Sequence, residues 1–220
     1  LRTWQAHMVA HELPYKQIYS YLGIMEALSG ASVDVSFISF DDIINDGVPE
    51  GVDVIINAGD AGTSFSGGEV WKNETLITRI REFVYNGGGF VGVGEPTAVH
   101  HQGRFFQLGD ILGVEREMGY SLSTDKYFTK ELKEHFIIED IEDVHKIDFG
   151  ENIKNVYGLT SATEVLEFSN PKVSAGGVEE GIVLPANAEG KEFGEIHLAA
   201  NPYGKGRGAV SYTHLRDHET

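Results

Sequence analysis

The chain has 220 residues, which is long enough to bury the core of one domain. Acidic residues number 34 and basic residues 17, and the formal net charge of -17 argues against nucleic acid or an anionic membrane as a partner, since both require basic surfaces. The absence of cysteine excludes disulfides, thiolate metal sites and cysteine nucleophiles.

The hydrophobic pattern alternates between helical and strand periodicity. Apolar residues recur at three- and four-residue steps between Ile18 and Leu28, and Gly30 follows as a helix-ending residue. Asn73 is a typical N-cap for a second long helix. In chain order we predict helix 11–29, strands 33–40 and 52–57, helix 74–85, a strand from residue 90, helix 105–112, and strands 163–168, 181–184 and 195–199. This alternation predicts an α/β fold, doubly wound around a mostly parallel sheet.

The stretch from Gly87 to Pro96 is typical of a buried strand that ends in a sharp turn. Gly92 and Gly94 lack a Cβ, so other backbone or a ligand can approach the end of this strand closely. In an open α/β sheet that end faces the crevice where ligands bind. Some α/β enzymes carry a nucleophile at such a turn, whereas Glu95 follows the strand here. The sequence therefore predicts a scaffold that often hosts catalysis, with no nucleophile at the usual place.

Two carboxylates, Asp60 and Glu95, follow the ends of predicted strands and are candidates for one crevice. Paired carboxylates can divide acid and base roles when their environments separate their pKa values. In the alternative interpretation Asp60 caps a turn and Glu95 accepts hydrogen bonds from loop amides. His100 and His101 are adjacent and cannot share a face of an extended chain. One of them is a candidate for a substrate hydrogen bond, and solvation in a loop is the alternative.

Two further patterns resemble sites but lack the residues that would complete them. His7 and His11 are four residues apart, yet a zinc site needs a third protein ligand, and the sequence between them is not the metalloprotease signature. We therefore predict no metal site. Lys205 and Arg207 lie among glycines, but a phosphate-binding loop would follow a strand and open a helix. A tight turn before a strand fits this segment better.

We expect the chain to divide into three parts. Residues 1–30 form a connector and the first helix, and residues 31–209 form the α/β domain, with residues 119–155 as a weakly patterned insertion or lid. Residues 210–220 resemble translated sequencing-adaptor sequence, so we expect a non-native tail there. The chain also begins at Leu1 without a methionine, and we expect both native ends to lie elsewhere.

Four separated motifs resemble one known family. They are Leu1-Arg2-x-Trp4-x-x-His7-Met8-Val9-x-His11, Phe37-Ile38-Ser39-Phe40-Asp41-Asp42, Asp60-x-x-Thr63-x-x-Ser66-Gly67-Gly68 and Gly92-Val93-Gly94-Glu95-Pro96. Together they resemble the central domain of the 1,3-β-galactosyl-N-acetylhexosamine phosphorylases, also called lacto-N-biose phosphorylases, and the similarity runs from Leu1 to about Gly208. In that family a TIM barrel precedes this region, which has a class I glutamine amidotransferase-like, flavodoxin-like three-layer fold, and smaller β domains follow.

The resemblance implies an inverting phosphorolysis of galactosyl-β1,3-N-acetylhexosamines by a dimeric enzyme, and the absence of cysteine is compatible with a cytoplasmic location. Inorganic phosphate is the co-substrate, no cofactor is implied, and the products are α-galactose 1-phosphate and a free N-acetylhexosamine. The family's general acid and most of its phosphate ligands lie on the barrel, so the resemblance assigns no catalytic residue to this chain. A stand-alone ligand-binding or assembly module without enzymatic activity is the alternative.

Seven residues remain as candidates for the rim of the substrate pocket or the boundary with the barrel. Four lie closest to the expected barrel, and three follow from the position of strand ends in an α/β sheet. They are Arg2, Trp4, His7 and His11 in the first set, and Asp60, Glu95 and His100 in the second.

Overall fold

The computed structural model describes residues 15–59, 61, 66–116, 156–158, 164–165 and 198–211, and for residues 15–20, 156–158 and 164–165 it describes the backbone alone. The helices are α1 (Tyr15–Ser29), α2 (Phe40–Asp46), α3 (Glu74–Tyr85) and the single turn α4 (Gly109–Leu112), with a 3₁₀ helix at Gly68–Lys72. The strands are β1 (Val54–Gly59), β2 (Gly89–Gly94), β3 (Ala98–His101), β4 (Arg104–Phe106), β5 (Val114–Arg116), β6 (Val156–Gly158), β7 (Glu164–Val165), β8 (Leu198–Tyr203) and β9 (Gly206–Ser211).

Five of the described strands form one mixed sheet in the order β1-β2-β9-β8-β7. The strands β1, β2 and β9 are parallel neighbours, while β8 runs antiparallel to both β9 and β7. Four strands of this sheet therefore point the same way, which confirms an α/β domain with a mostly parallel sheet. The pairs β3–β4 and β5–β6 form two small antiparallel sheets beside it.

The hydrophobic core lies on one face of the five-stranded sheet. Alternate residues on that face, among them Ile55, Phe90 and Val210, are buried and belong to one cluster with the apolar stripe of α3. The stripe consists of Leu76, Ile77, Ile80 and Val84. The intervening residues of β1 point to the other face, where Val54 is 49% and Ile56 39% exposed. The two faces of the same strand therefore differ sharply in burial.

Local capping explains where α2 and α3 begin. The Asn73 side chain accepts hydrogen bonds from the N–H groups of Thr75 and Leu76, and α3 has the bounds 74–85 that the sequence predicts. Ser39 and Asp42 form a capping box at the start of α2. No helix in the described ranges is long and apolar enough to cross a membrane.

One predicted element near these helices is wrong. The predicted strand 33–40 is not a strand: residues up to Ser39 lie outside the sheet, and the capping box turns Phe40 into the first residue of α2. The alternation that suggested a strand places Val33, Val35 and Phe37 in solvent, at 57%, 45% and 71% exposure. The first helix is described from residue 15, and residues 11–14 of the predicted helix lie outside the described part.

The predicted helix 105–112 is also only partly correct. Its first residues, Phe105 and Phe106, belong to β4, and the helical part is reduced to α4. The reason is a β3–β4 hairpin, whose two loop residues Gln102 and Gly103 both have positive φ, 49° and 75°. Two-residue hairpin loops favour this conformation, and it holds the aromatic pair in an extended strand.

The last described strands extend the sheet beyond the sequence-based boundaries. Predicted strands 163–168 and 195–199 correspond to β7 and β8, while 181–184 and all of residues 119–155 lie outside the described ranges. A tight turn at Gly204 (φ 61°) joins β8 to β9, as the glycines around Lys205 suggested. Val210 and Ser211, which the sequence assigned to the tail, belong to β9, and Val210 is fully buried beside Gly92. Residues 212–220 are not described.

Candidate functional site

The parallel strands β1 and β2 end side by side, and the turn after β2 forms the centre of the candidate site. Gly59 and Gly94 are paired at the end of the ladder, and the N–H of Glu95 donates to the carbonyl of Gly59 at 2.9 Å. A Cβ on Gly92 would lie 2.3 Å from Cγ of Pro96. The glycine in this strand is therefore required because the Pro96 ring folds back onto it, and the space is not open to a ligand.

The carboxylate of Glu95 joins three segments of the chain. Its Oε2 accepts the N–H of Ala61 at 2.9 Å, in the segment after β1, and its Oε1 lies 3.3 Å from Nη1 of Arg116 on β5. The side chain is 18% exposed. Because both oxygens are engaged, this carboxylate connects the segment after β1, the turn after β2 and strand β5.

The guanidinium of Arg116 continues the network toward the β3–β4 hairpin. Its Cζ lies 4.7 Å from the centre of the Phe105 ring, within the range of a cation–π contact. The ring of His100 is 5.1 Å from the same Phe105 ring, tilted by 60°. Glu95 and His100, both predicted from sequence, are thus linked through Arg116 and Phe105, with His100 at the exposed end.

Glu115 is a buried acid that is absent from the seven residues predicted from the sequence. One carboxylate oxygen, Oε1, accepts the N–H groups of Phe105 at 3.1 Å, Phe106 at 3.0 Å and Arg116 at 2.9 Å. Desolvation raises the pKa of Glu115 above its ordinary value, although the three backbone donors act in the opposite direction. Glu115 therefore fastens strand β4 to β5. The sequence contains only a weak signal for it, since Glu115 directly follows the apolar residues Ile111, Leu112 and Val114, but Asp110 and Glu117 lie beside the same run.

Thr97 fixes the start of the hairpin in an uncommon conformation. It is fully buried and has a φ of 62°, which few residues with a Cβ adopt. Its carbonyl accepts the N–H of Gln107 at 3.1 Å, and its Oγ1 accepts that of Leu108 at 3.4 Å. The side-chain amide of Gln107 donates to the carbonyl of Val99 at 2.8 Å. These bonds hold the hairpin directly beyond Glu95.

Five of the seven predicted site residues lie outside the described part of the chain, namely Arg2, Trp4, His7, His11 and Asp60. Of the other two, Glu95 lies at the centre of the network and His100 at its edge. In the described ranges, no group of three or more histidine, aspartate or glutamate side chains is arranged to hold a metal ion.

Comparison with known proteins identifies the family of this chain. The sequence profile of the lacto-N-biose phosphorylase central domain matches residues 1–214. A 1,3-beta-galactosyl-N-acetylhexosamine phosphorylase of Lachnoclostridium phytofermentans is 52% identical over 163 residues, which cover 74% of this chain and 22% of the relative. The enzyme of that name from Bifidobacterium longum is 42% identical over 226 residues, covering 94% and 29%. The chain belongs to the lacto-N-biose phosphorylase central-domain family.

This central domain corresponds to less than a third of the length of the two relatives. Among solved structures, a cytoplasmic protein of Salmonella typhimurium aligns with 87% of this chain and 74% of its own, at 15% identity and a TM-score of 0.41, a likeness too distant to inform the fold. Within the lacto-N-biose phosphorylase central domain, the turn after β2 carries a hydrogen-bonded carboxylate where other α/β enzymes place a nucleophile.

Proposed function

We propose that this chain is the non-catalytic central domain of an inverting phosphorylase. The parent enzyme would convert a galactosyl-β1,3-N-acetylhexosamine and phosphate into α-galactose 1-phosphate and the free N-acetylhexosamine. The observation that carries the proposal is the family match over residues 1–214. The names of the relatives, both 1,3-beta-galactosyl-N-acetylhexosamine phosphorylases, support the choice of substrate.

The proposed reaction needs fewer groups than hydrolysis by an inverting glycosidase. There, one carboxylic acid protonates the leaving oxygen and a second carboxylate activates water. In phosphorolysis the phosphate itself is the nucleophile, so a single general acid suffices. Cationic side chains must hold the phosphate in line with the departing oxygen.

The contacts of Glu95, the carboxylate in the turn after β2, support the non-catalytic role. Both oxygens of Glu95 are engaged, with Ala61 and Arg116, and the chain contains no cysteine to act as a nucleophile. We infer that Glu95, Arg116 and Glu115 give the domain a rigid edge at the ends of β1 and β2. That edge would support the reaction centre of the neighbouring domain.

Several finer properties belong to the same proposal. We infer an amidotransferase-like, doubly wound fold, because the parallel strands β1, β2 and β9 normally require cover on both faces. On the same family grounds we propose that the parent is a homodimer and needs no cofactor beyond its phosphate co-substrate, and the absence of cysteine supports a cytoplasmic location. Light scattering of the full-length parent tests the dimer.

The deciding experiment is an assay of the full-length parent with lacto-N-biose and phosphate. We expect α-galactose 1-phosphate to appear in proportion to phosphate, and no galactose to be released when phosphate is omitted. The 220-residue chain alone, assayed in parallel, is expected to be inactive. Release of free galactose without phosphate would show a hydrolase, and turnover by the chain alone would overturn the non-catalytic role.

A further inference from the structure

A surface cleft of about 670 Å³ lies between α3 and the β3–β4 hairpin. One wall is the face of α3 that carries Glu74, Thr78 and Arg81 at helical spacing, and the other wall is the hairpin. The volume falls within the range of about 300–1,000 Å³ that is usual for small-molecule sites. The remaining lining residues are Lys72, Ile77, His101, Gln102, Arg104, Gln107 and Asp110.

The lining of this cleft is far less acidic than the chain as a whole. Acids outnumber bases by 34 to 17 in the sequence, whereas the lining contains three cations, Lys72, Arg81 and Arg104, and two acids, Glu74 and Asp110. With Glu69, which contacts Lys72, the charges around the cleft balance, so an anion meets less repulsion here than on the acidic surface around it.

The cations in the cleft differ in how far they are already neutralised. Arg81 is paired with both oxygens of Asp110, at 2.8 and 2.9 Å, so this pair contributes little net charge. Lys72 contacts Glu69, but that pair is exposed, and exposed pairs hold their partners weakly. Arg104 forms no ion pair in the described ranges, although its charge also acts on the buried carboxylate of Glu115. Lys72 and Arg104 are therefore the charges that an incoming anion would meet.

We propose that this cleft binds the phosphate group of a small molecule, with Arg104 and Lys72 as the charged donors. The cleft offers four hydrogen-bonding groups: the guanidinium of Arg104, the ammonium of Lys72, the hydroxyl of Thr78 and the side-chain amide of Gln102. Together they have more N–H and O–H donors than the two oxygens of a carboxylate can accept. A phosphate, with three or four oxygens, matches this set better. Because all of these residues lie in this chain, the proposal does not depend on the activity of the parent enzyme.

Glu74 makes the proposal sharply testable, because it lines the same cleft and opposes an anion. We expect Arg104→Gln and Lys72→Gln each to weaken phosphate binding by about tenfold. We expect Glu74→Gln to strengthen it by about twofold to fivefold, since it removes a like charge. All three side chains are exposed, so the substitutions should leave the fold intact. Lys205→Gln is the matched control: it removes an equal charge from the exposed β8–β9 turn, outside the cleft.

The measurement is a calorimetric titration of the 220-residue chain with inorganic phosphate at constant, low ionic strength. A titration with acetate tests whether a carboxylate binds equally well. A comparison of galactose 1-phosphate with galactose tests whether the phosphate group is the part recognised. Saturable phosphate binding that falls in Arg104→Gln and Lys72→Gln, rises in Glu74→Gln and is unchanged in Lys205→Gln supports the site. Absence of saturable binding, equal effects in Lys205→Gln, or acetate binding as tight as phosphate overturns it. The release of galactose 1-phosphate by the parent is a separate measurement and is unaffected by any of these outcomes.

Discussion

Oε1 of Glu95 lies 3.3 Å from Nη1 of Arg116. This contact joins the turn after β2 to the last residue of β5. The second oxygen of the same carboxylate binds the N–H of Ala61 after β1. One side chain therefore ties together the ends of two parallel strands and a third strand outside the main sheet. The turn position that carries a reactive group in some α/β enzymes holds here a carboxylate with two partners, Ala61 and Arg116.

Replacement of Glu95 separates a structural role from a catalytic one. Glu95→Ala leaves Ala61 N–H and Arg116 without this partner, and we expect it to lower the free energy of unfolding by about 1–3 kcal/mol. Glu95→Gln keeps an acceptor for Ala61 and should cost less. Urea denaturation of the chain measures both effects. In the full-length parent, Glu95→Gln should retain turnover within a few-fold, and a stable but inactive variant would instead assign chemistry to this carboxylate.

The sequence predicted elements well where local signals and tertiary packing agree. Helix α3 has the predicted bounds because the Asn73 cap, the apolar stripe and the Asn86–Gly87 stop all specify one helix. The buried strand from residue 90 was predicted for a similar reason, since glycines bound a short apolar run. In the region 33–40, alternation alone predicted a strand, and the capping box at Ser39 was the stronger local signal.

The candidate site was predictable only in part, because its contacts join distant residues. The position of Glu95 followed from the rule that ligands bind at the carboxyl ends of the strands in an open α/β sheet. An acceptor role toward loop amides was one of the two interpretations that the sequence left open. Its partner Arg116 is 21 residues away and is not suggested by any motif. Glu115 binds the N–H groups of residues nine and ten positions before it, an arrangement that exists only after the β3–β4 hairpin has formed.

The buried carboxyl of Glu115 should make stability depend on pH. Burial raises its folded-state pKa above the ordinary value of 4.5, so the folded state binds this proton more tightly than the unfolded state. The resulting stabilisation is present below the unfolded pKa and is lost as pH rises through the folded pKa. Glu115→Gln cannot titrate there, and its uncharged oxygen can still accept backbone N–H groups. We therefore expect the free energy of unfolding of Glu115→Gln, relative to that of the native chain, to increase as pH rises through this window.

Urea unfolding at several pH values between about 4 and 7 measures this difference, which can reach about 1.4 kcal/mol for each unit by which the two pKa values differ. Glu82→Gln, which removes an exposed carboxylate from α3, is the matched control and should not reproduce the trend. If the difference between Glu115→Gln and the native chain were flat with pH, burial would not dominate the titration of this group.

The close approach of Pro96 to Gly92 predicts that this glycine cannot be replaced. A Cβ on Gly92 would meet Cγ of Pro96 at 2.3 Å, and the proline ring cannot swing aside as a flexible side chain would. We expect Gly92→Ala to lower the free energy of unfolding by about 1–3 kcal/mol through overpacking. At Gly30 a Cβ would meet nothing within 4 Å, so Gly30→Ala is the control and should be near neutral. Equal stabilities of the two variants, measured by urea denaturation, would contradict the packing at this turn.

The unequal faces of β1 predict different costs for two neighbouring isoleucines. Ile55 is 8% exposed and packs in the core cluster, so Ile55→Ala should cost about 2–5 kcal/mol of unfolding free energy. Ile56 is 39% exposed on the other face, and Ile56→Ala should cost about 1 kcal/mol or less in the 220-residue chain. The pair removes identical atoms from adjacent positions of one strand, which isolates burial as the variable. Equal losses in urea denaturation would mean that the second face of the sheet is covered in solution as fully as the first.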